Sequence, residues 1–163
     1  MTEKKLSEQV DDYEFLVQKN QKIRLSELFG NKKDLIIIHN MGNSCPYCTM
    51  WADGFNGLLQ HLQDRAAFVV SSPDDPMTQK DFASSRGWKF QMVSTKKTSF
   101  AKDMGFENNG MPMPGVSIFY KDNGKITRVG RDNFGPGDNY CPTWHFFDLL
   151  KDGRANWQAQ FMY

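Results

Sequence analysis

The feature that most constrains this chain is the apolar run Asp34-Leu35-Ile36-Ile37-Ile38-His39. It is followed within a few residues by Cys45-Pro46-Tyr47-Cys48 and then by a helix-like pattern from Thr49 to Phe55 with Leu58 and Leu59. A short, nearly continuous β-branched run reads as a buried strand. Pro46 suits the first turn of a helix, where its missing N–H leaves no intrahelical bond unmade. Two cysteines two residues apart at a strand-to-helix junction suit thiol–disulfide chemistry. The helix N-terminus stabilises a thiolate, and the spacing lets the second sulfur reach the first. The same spacing also suits half of a zinc site, so the surroundings decide.

With 163 residues the chain is long enough for one domain with its own core. Its formal charge is +1, with acids and bases interspersed, which argues against a nucleic-acid stripe or a polybasic membrane anchor. No apolar stretch approaches the ~20 residues of a membrane span, and Met1 to Gln9 lacks the apolar centre of a secretory signal. The expectation is a cytoplasmic protein with neither nucleic-acid nor membrane partners. Three cysteines are too few for a disulfide scaffold, so the close pair reads as a working dithiol or a metal site. The expected organisation is a polar N-terminal arm over 1–12, frayed or shortly helical, and a single domain over 13–163.

Tyr13–Val17 and Ile23–Leu25 read as two strands around a Lys19-Asn20 turn, followed by a helical turn closed at Gly30. The helix after the dithiol is expected to run to about Gln63, with Leu58, Leu59 and Leu62 facing the core and Gly54 and Gly57 marking a kink or close packing. Strands are expected at Ala67–Ser71 and Lys89–Ser94, with helices at Met77–Ser85 and Phe100–Met104. Asn123-Gly124 between Val116–Tyr120 and Ile126–Val129 is a strong hairpin signal, and Pro142 opens a last helix that closes near Gly153. Alternating strands and helices followed by a hairpin predict an α/β sandwich with a mixed central sheet flanked by helices, carrying an N-terminal hairpin extension.

The strand leading into Cys-x-x-Cys and the later Met113-Pro114-Gly115-Val116-Ser117-Ile118-Phe119-Tyr120 resemble the thioredoxin superfamily. A closer resemblance is to an uncharacterised bacterial thioredoxin-like family. It is carried by His39-Asn40-Met41, Trp51-Ala52-Asp53-Gly54-Phe55-Asn56-Gly57, Arg86-Gly87-Trp88, Asp103-Met104-Gly105, Pro114-Gly115-Val116 and Asp148 to Arg154. The superfamily resemblance implies a cis Met113–Pro114 bond facing Cys45, with Met113 and Pro114 contacting substrate. It also implies a proton acceptor near the position six residues before the first cysteine, where thioredoxins carry a buried aspartate and this chain has His39; the alternative for His39 is a hydrogen-bonded core histidine. Leu25-Ser26-Glu27-Leu28-Phe29 resembles the approach to the peroxiredoxin active site. The peroxiredoxin pattern Pro-x-x-x-Thr/Ser-x-x-Cys is nevertheless absent. Pro46-Tyr47 resembles the centre of the glutaredoxin dithiol, but the glutaredoxin Thr-Val-Pro and Gly-Gly-x-x-Asp signatures have no match, so glutathione is not implied.

The expected chemistry follows from position on the helix. Cys45, in the exposed first turn, is the attacking thiolate, and Cys48, one turn in, resolves the mixed disulfide. Lowering a thiol pKa by about two units takes roughly 2.7 kcal/mol, whereas a helix N-terminus supplies about 0.3–1, or ~2 when partly buried. Hydrogen bonds from the Cys48 amide and thiol are expected to supply the rest. Tyr47 is expected to project from the turn toward a partner, with Met41, Met111 and Met113 around the dithiol. Asp53 is a candidate polar partner beneath the dithiol or a solvated helix residue, and Trp51 reads as packing.

The reaction so read exchanges electrons with a disulfide-containing protein or small disulfide, draws on an upstream reductant, and uses no cofactor. A rival constellation is Cys141-Pro142-Thr143-Trp144-His145, whose Cys141 and His145, four residues apart on one helix face, could complete a Cys3His zinc site with Cys45 and Cys48. Under that alternative the chain is a binding module rather than an enzyme.

Overall fold

The structure is a computed structural model that describes residues 4–163. An eight-stranded sheet runs through the molecule in the order β1-β10-β9-β4-β5-β6-β2-β3. Its centre is β4 (Asp34–His39), β5 (Ala67–Ser72) and β6 (Gln91–Ser94), which are mutually parallel. The antiparallel strands β9 (Gly115–Asp122), β10 (Lys125–Asn133) and β1 (Lys4–Gln9) extend one side. The hairpin of β2 (Glu14–Val17) and β3 (Gln21–Arg24) extends the other. This is the mixed α/β sandwich with an N-terminal hairpin that the sequence pattern predicts.

One expectation at the N-terminus changes. Residues 4–9 are not an arm but an edge strand paired with β10, while residues 1–3 of the predicted arm lie outside the described residues. Glu8 anchors this strand by accepting from Nε and Nη2 of the buried Arg128, at 2.9 and 2.7 Å.

Strand alternation divides the core into two. Ile36 and Ile38 of β4, with Phe68, Val70 and Val116, face α2 (Pro46–Gly57) and α3 (Leu59–Arg65). Leu35 and Ile37, with Val69, Val93 and Phe119, face α1 (Leu25–Leu28) and α5 (Phe100–Asp103). The predicted single helix to Gln63 is therefore two helices, broken at Leu58, whose φ of −101° and ψ of 3° leave the helical region. Leu59 is buried, but Leu58 is 54 % exposed and does not join the core stripe.

α4 (Pro76–Arg86) begins where Asp75 accepts from the Met77 and Thr78 amides, and ends at the left-handed Gly87. It locks onto α2 through side chains. Asp53 accepts from Arg86 and from Trp88 Nε1 at 2.8 Å. Asn56 accepts from the Lys89 amide at 2.8 Å and donates to the Gly87 carbonyl. α6 (Pro142–Asp148) packs Trp144 into the same core. Between α5 and β9 lies a two-strand ribbon, β7 (Glu107–Asn108) and β8 (Met111–Pro112).

Candidate active site

β4 delivers the chain to the edge of the sheet at His39, and a short loop turns it into α2. The Asn40 amide donates to the Ser71 carbonyl and continues the strand pairing. The Asn40 side chain accepts from the Gly42 amide at 2.8 Å, and Asp74 accepts from the Asn43 amide at 2.8 Å. These bonds fix the turn, and Cys45 caps the helix that follows.

Cys45 Sγ accepts the Cys48 amide at 3.0 Å, so the sulfur occupies the N-cap acceptor position. The Cys45 carbonyl receives both the amide and the hydroxyl of Thr49, holding the first turn closed. Cys45 is half-buried, whereas Cys48 is only 2 % exposed and packs against Trp51 and Ile38 in the core. Cys48 Sγ receives the Met41 amide at 3.4 Å. The Cys45 thiol is brought down to about 7, first by the hydrogen bond from the Cys48 thiol and then by the Cys48 and Tyr47 amides, against the opposing effect of burial. The same thiol–thiol bond, with burial, pushes Cys48 strongly upward. One sulfur is poised to ionise and the other to hold its proton.

His39 is not at this site. In β4 it alternates with Ile38 and therefore faces the opposite side of the sheet. Its ring stacks on Phe106 at 4.0 Å and Phe100 at 5.5 Å, with Nε2 2.9 Å from Ser117 Oγ. Burial, reinforced by the positive charges of Arg128 and Arg131, pushes its pKa down to about 3. His39 therefore lies against Phe100 and Phe106 of one core, a hydrogen-bonded buried histidine, with the sheet between it and Cys48 in the other.

The Met113–Pro114 bond is trans, as no cis peptide bond occurs among the described residues. The cis bond that the thioredoxin resemblance implies is not found, and the flanking backbone makes other contacts. Met113 donates to the Phe106 carbonyl at 2.8 Å, and the Pro114 carbonyl accepts from Phe134 at 3.1 Å. The register nonetheless pairs Gly115 with His39. Pro114 thus lies at the end of the sheet from which the dithiol loop departs. Gly115 permits the close approach: a Cβ there would sit 2.1 Å from the Phe106 ring and 2.5 Å from the Asp132 carbonyl.

Tyr47 does not project freely. Its ring is half-buried and stacks on Trp144 at 5.9 Å, joining the dithiol turn to α6. Met41 packs on the core at the site, whereas Met111 and Met113 are 68 and 42 % exposed on and beside the β7–β8 ribbon. Two contributors went unseen in the sequence: Trp144, visible only as part of an aromatic run, and the Met41 amide, which no side-chain pattern signals.

The zinc constellation does not assemble. Among the described residues no group of three or more His, Cys, Asp or Glu side chains is arranged to hold a metal ion. Cys141 is buried at the start of α6, and His145 Nε2 turns to the Asp138 carbonyl at 3.0 Å. Nor is any helix among the described residues long and apolar enough to cross a membrane.

Comparison with solved structures finds the same fold in proteins of low identity. A peroxidoxin, BcpB, from Mycobacterium tuberculosis is 23 % identical with a TM-score of 0.68, covering 79 % of this chain and 85 % of its own. A reduced Prx3 from Vibrio vulnificus, solved in complex with hydrogen peroxide, is 17 % identical with a TM-score of 0.66, covering 80 and 88 %. AhpC from Enterococcus faecalis is 16 % identical with a TM-score of 0.64, covering 81 and 82 %. The fold is thus the thioredoxin-like sandwich that these solved structures share. Comparison with curated proteins gave no match. Residues 6–162 match a family model, and the chain belongs to that family, described as "Bacterial protein of unknown function (DUF899)".

Proposed function

We propose that this protein is a thiol–disulfide oxidoreductase in which Cys45 attacks and Cys48 resolves. The observation that carries the reading is the asymmetry of the pair. Cys45, half-buried at the helix cap, has its pKa lowered to about 7, while the buried Cys48 holds its proton. Cys45 thiolate attacks one sulfur of a substrate disulfide, forms the mixed disulfide and releases the other sulfur as a thiolate. Cys45 then no longer carries the negative charge that held the Cys48 proton. That proton passes to the departing thiolate, and Cys48 sulfur attacks Cys45 to release the second substrate sulfur as a thiolate, which takes its proton from solvent. The substrate gains two electrons, and the Cys45–Cys48 disulfide awaits a dithiol reductant. Exposed Met113 and the half-buried Tyr47 and Pro114 offer contact to an extended protein or small disulfide. A cytoplasmic location suits a dithiol that must be kept reduced between turnovers.

A second electron acceptor is suggested by the fold neighbours, one of which was solved with hydrogen peroxide. Peroxide would oxidise Cys45 to a sulfenic acid, and Cys48 would condense with it, releasing water.

The test is dithiothreitol-driven reduction of insulin, run beside hydrogen peroxide consumption. Wild type accelerates insulin reduction, Cys45→Ser falls to the uncatalysed rate, and Cys48→Ser accumulates a mixed disulfide detectable by mass. The alkylation rate of Cys45 rises with a midpoint near pH 7. Absence of insulin turnover in wild type defeats the disulfide reading. Cys45-dependent peroxide consumption in its place would establish the second acceptor.

A further inference from the structure

A groove of about 380 Å³ opens on the sheet face shared with the dithiol helix, and neither cysteine of the dithiol lines it. Its volume is within the range of small-molecule sites. The floor is Ile36, Ile118 and Val116, and Phe55 and Leu62 of α2 and α3 form one wall. Tyr140 forms another, its hydroxyl donating to Asp132 at 3.0 Å.

The groove exists because of one residue. Gly130 in β10 pairs with Ile118 and sits beside a register shift, so the sheet is bare where a side chain would otherwise cover it. A Cβ at Gly130 would meet Ile118 at 3.5 and 3.6 Å, which is ordinary contact, so the space is open rather than required by the backbone.

The polar end is equally specific. Lys5 in β1 pairs with Gly130, which places it on the groove face, and it is exposed. No carboxylate among the described residues pairs with Lys5. Arg131, the next residue on β10, turns its guanidinium to the other face of the sheet, 4.8 Å over the Phe106 ring. One unpaired cation therefore stands at the rim of an apolar trough.

We infer that this groove binds a small amphipathic anion, an aliphatic carboxylate whose chain lies along Ile36, Ile118 and Gly130 with its carboxylate at Lys5. The chain replaces water over apolar side chains, and the charge distinguishes the ligand from a neutral apolar molecule. Ile38, Phe55 and Val116, at the inner end of the groove, pack in the same cluster as Cys48, so the ligand rests against the helix that carries the dithiol. The binding claim is independent of the redox reading.

The test is calorimetric titration of the full chain with sodium decanoate below its micelle concentration, and with decanol as the neutral counterpart. One saturable site is expected, with a Kd on the order of 0.1 mM and a negative heat-capacity change. Gly130→Leu, checked for folding by circular dichroism, fills the trough and weakens binding about tenfold or more. Lys5→Gln weakens decanoate roughly 2- to 5-fold and leaves decanol unchanged. In the wild type, amide shifts on titration fall on Val116, Ile118 and Gly130, a readout that stands even if Gly130→Leu does not fold. The inference is overturned by non-saturable binding, by shifts located elsewhere, or by a Lys5→Gln variant with the same preference as wild type. A dimer that Gly130→Leu dissociates would also overturn it, since a second copy of the chain would then be the occupant.

Discussion

His39 and Cys45 leave the same strand end, and both have lowered pKa values, but the consequences for charge are opposite. Cys45 is drawn toward its ionised form by donors aimed at its sulfur, the Cys48 thiol first. His39 is kept neutral because burial between two phenylalanine rings gives an imidazolium no solvation. An unfolded histidine titrates near 6.5, so below that pH the unfolded chain binds a proton the native chain refuses. Stability is therefore lost as pH falls from about 6.5 toward about 3. At pH 5 the loss from this residue is about 2 kcal/mol. Denaturant unfolding at pH 7 and pH 5 measures it: wild type loses about 2 kcal/mol more between the two than His39→Gln. The pH profile of insulin reduction is expected to be the same in both proteins. A profile that moved with His39→Gln would return the residue to the mechanism.

At the scale of elements, the stretches that carry the family resemblance are each other's binding partners. Trp51 and Phe55 of α2 face inward, while Asp53 and Asn56 reach across to Arg86, Gly87, Trp88 and Lys89. Arg86 also donates to the Phe161 carbonyl, tying the C-terminal segment to the same joint. Removing the Asp53 carboxylate leaves the indole N–H of the buried Trp88 without its acceptor and a mostly buried guanidinium without its counter-charge. Asp53→Ala is expected to cost about 1–3 kcal/mol, discounted because the carboxylate is itself partly exposed. Asp53→Asn keeps an acceptor for Trp88 and is expected to cost less. Limited proteolysis of Asp53→Ala should cleave earlier after Arg154, and equal midpoints in chemical unfolding would show that the joint carries no stability. Much of this level was legible in the sequence. The Cys-Pro-Tyr-Cys junction, the Asn123-Gly124 hairpin and the Pro142 helix start each have a local cause, and each is found. What escaped depends on non-local pairing. The face of β4 that His39 occupies is set by which face α2 covers, and the backbone hydrogen-bond partners of Met113 and Pro114, at Phe106 and Phe134, lie elsewhere in the chain.

The whole molecule closes around a strand whose own composition is polar. β1 has little apolar character, so sequence periodicity gives it no address. Its place comes from pairing with β10 and from Glu8, which meets an Arg128 side chain only 6 % exposed. Arg128 also donates to the buried Met104 carbonyl at 2.8 Å, so the guanidinium bridges the edge strand to the loop after α5. A buried guanidinium that loses its carboxylate retains its desolvation cost without its compensation. Because Glu8 is half-exposed, water offsets part of that loss. Glu8→Ala is accordingly expected to cost about 2 kcal/mol in denaturant unfolding. The double variant Glu8→Ala, Arg128→Met removes the stranded charge as well as its partner. It forfeits the hydrogen bond to Met104, worth about 1 kcal/mol net, but no longer buries an unpaired cation. The double variant should therefore be no less stable than Glu8→Ala alone, and the cycle should show a coupling of about 1–2 kcal/mol. Additive single-variant losses would mean that β1 is held by its backbone ladder alone. In that case the ion pair only selects which polar segment docks at the β10 edge.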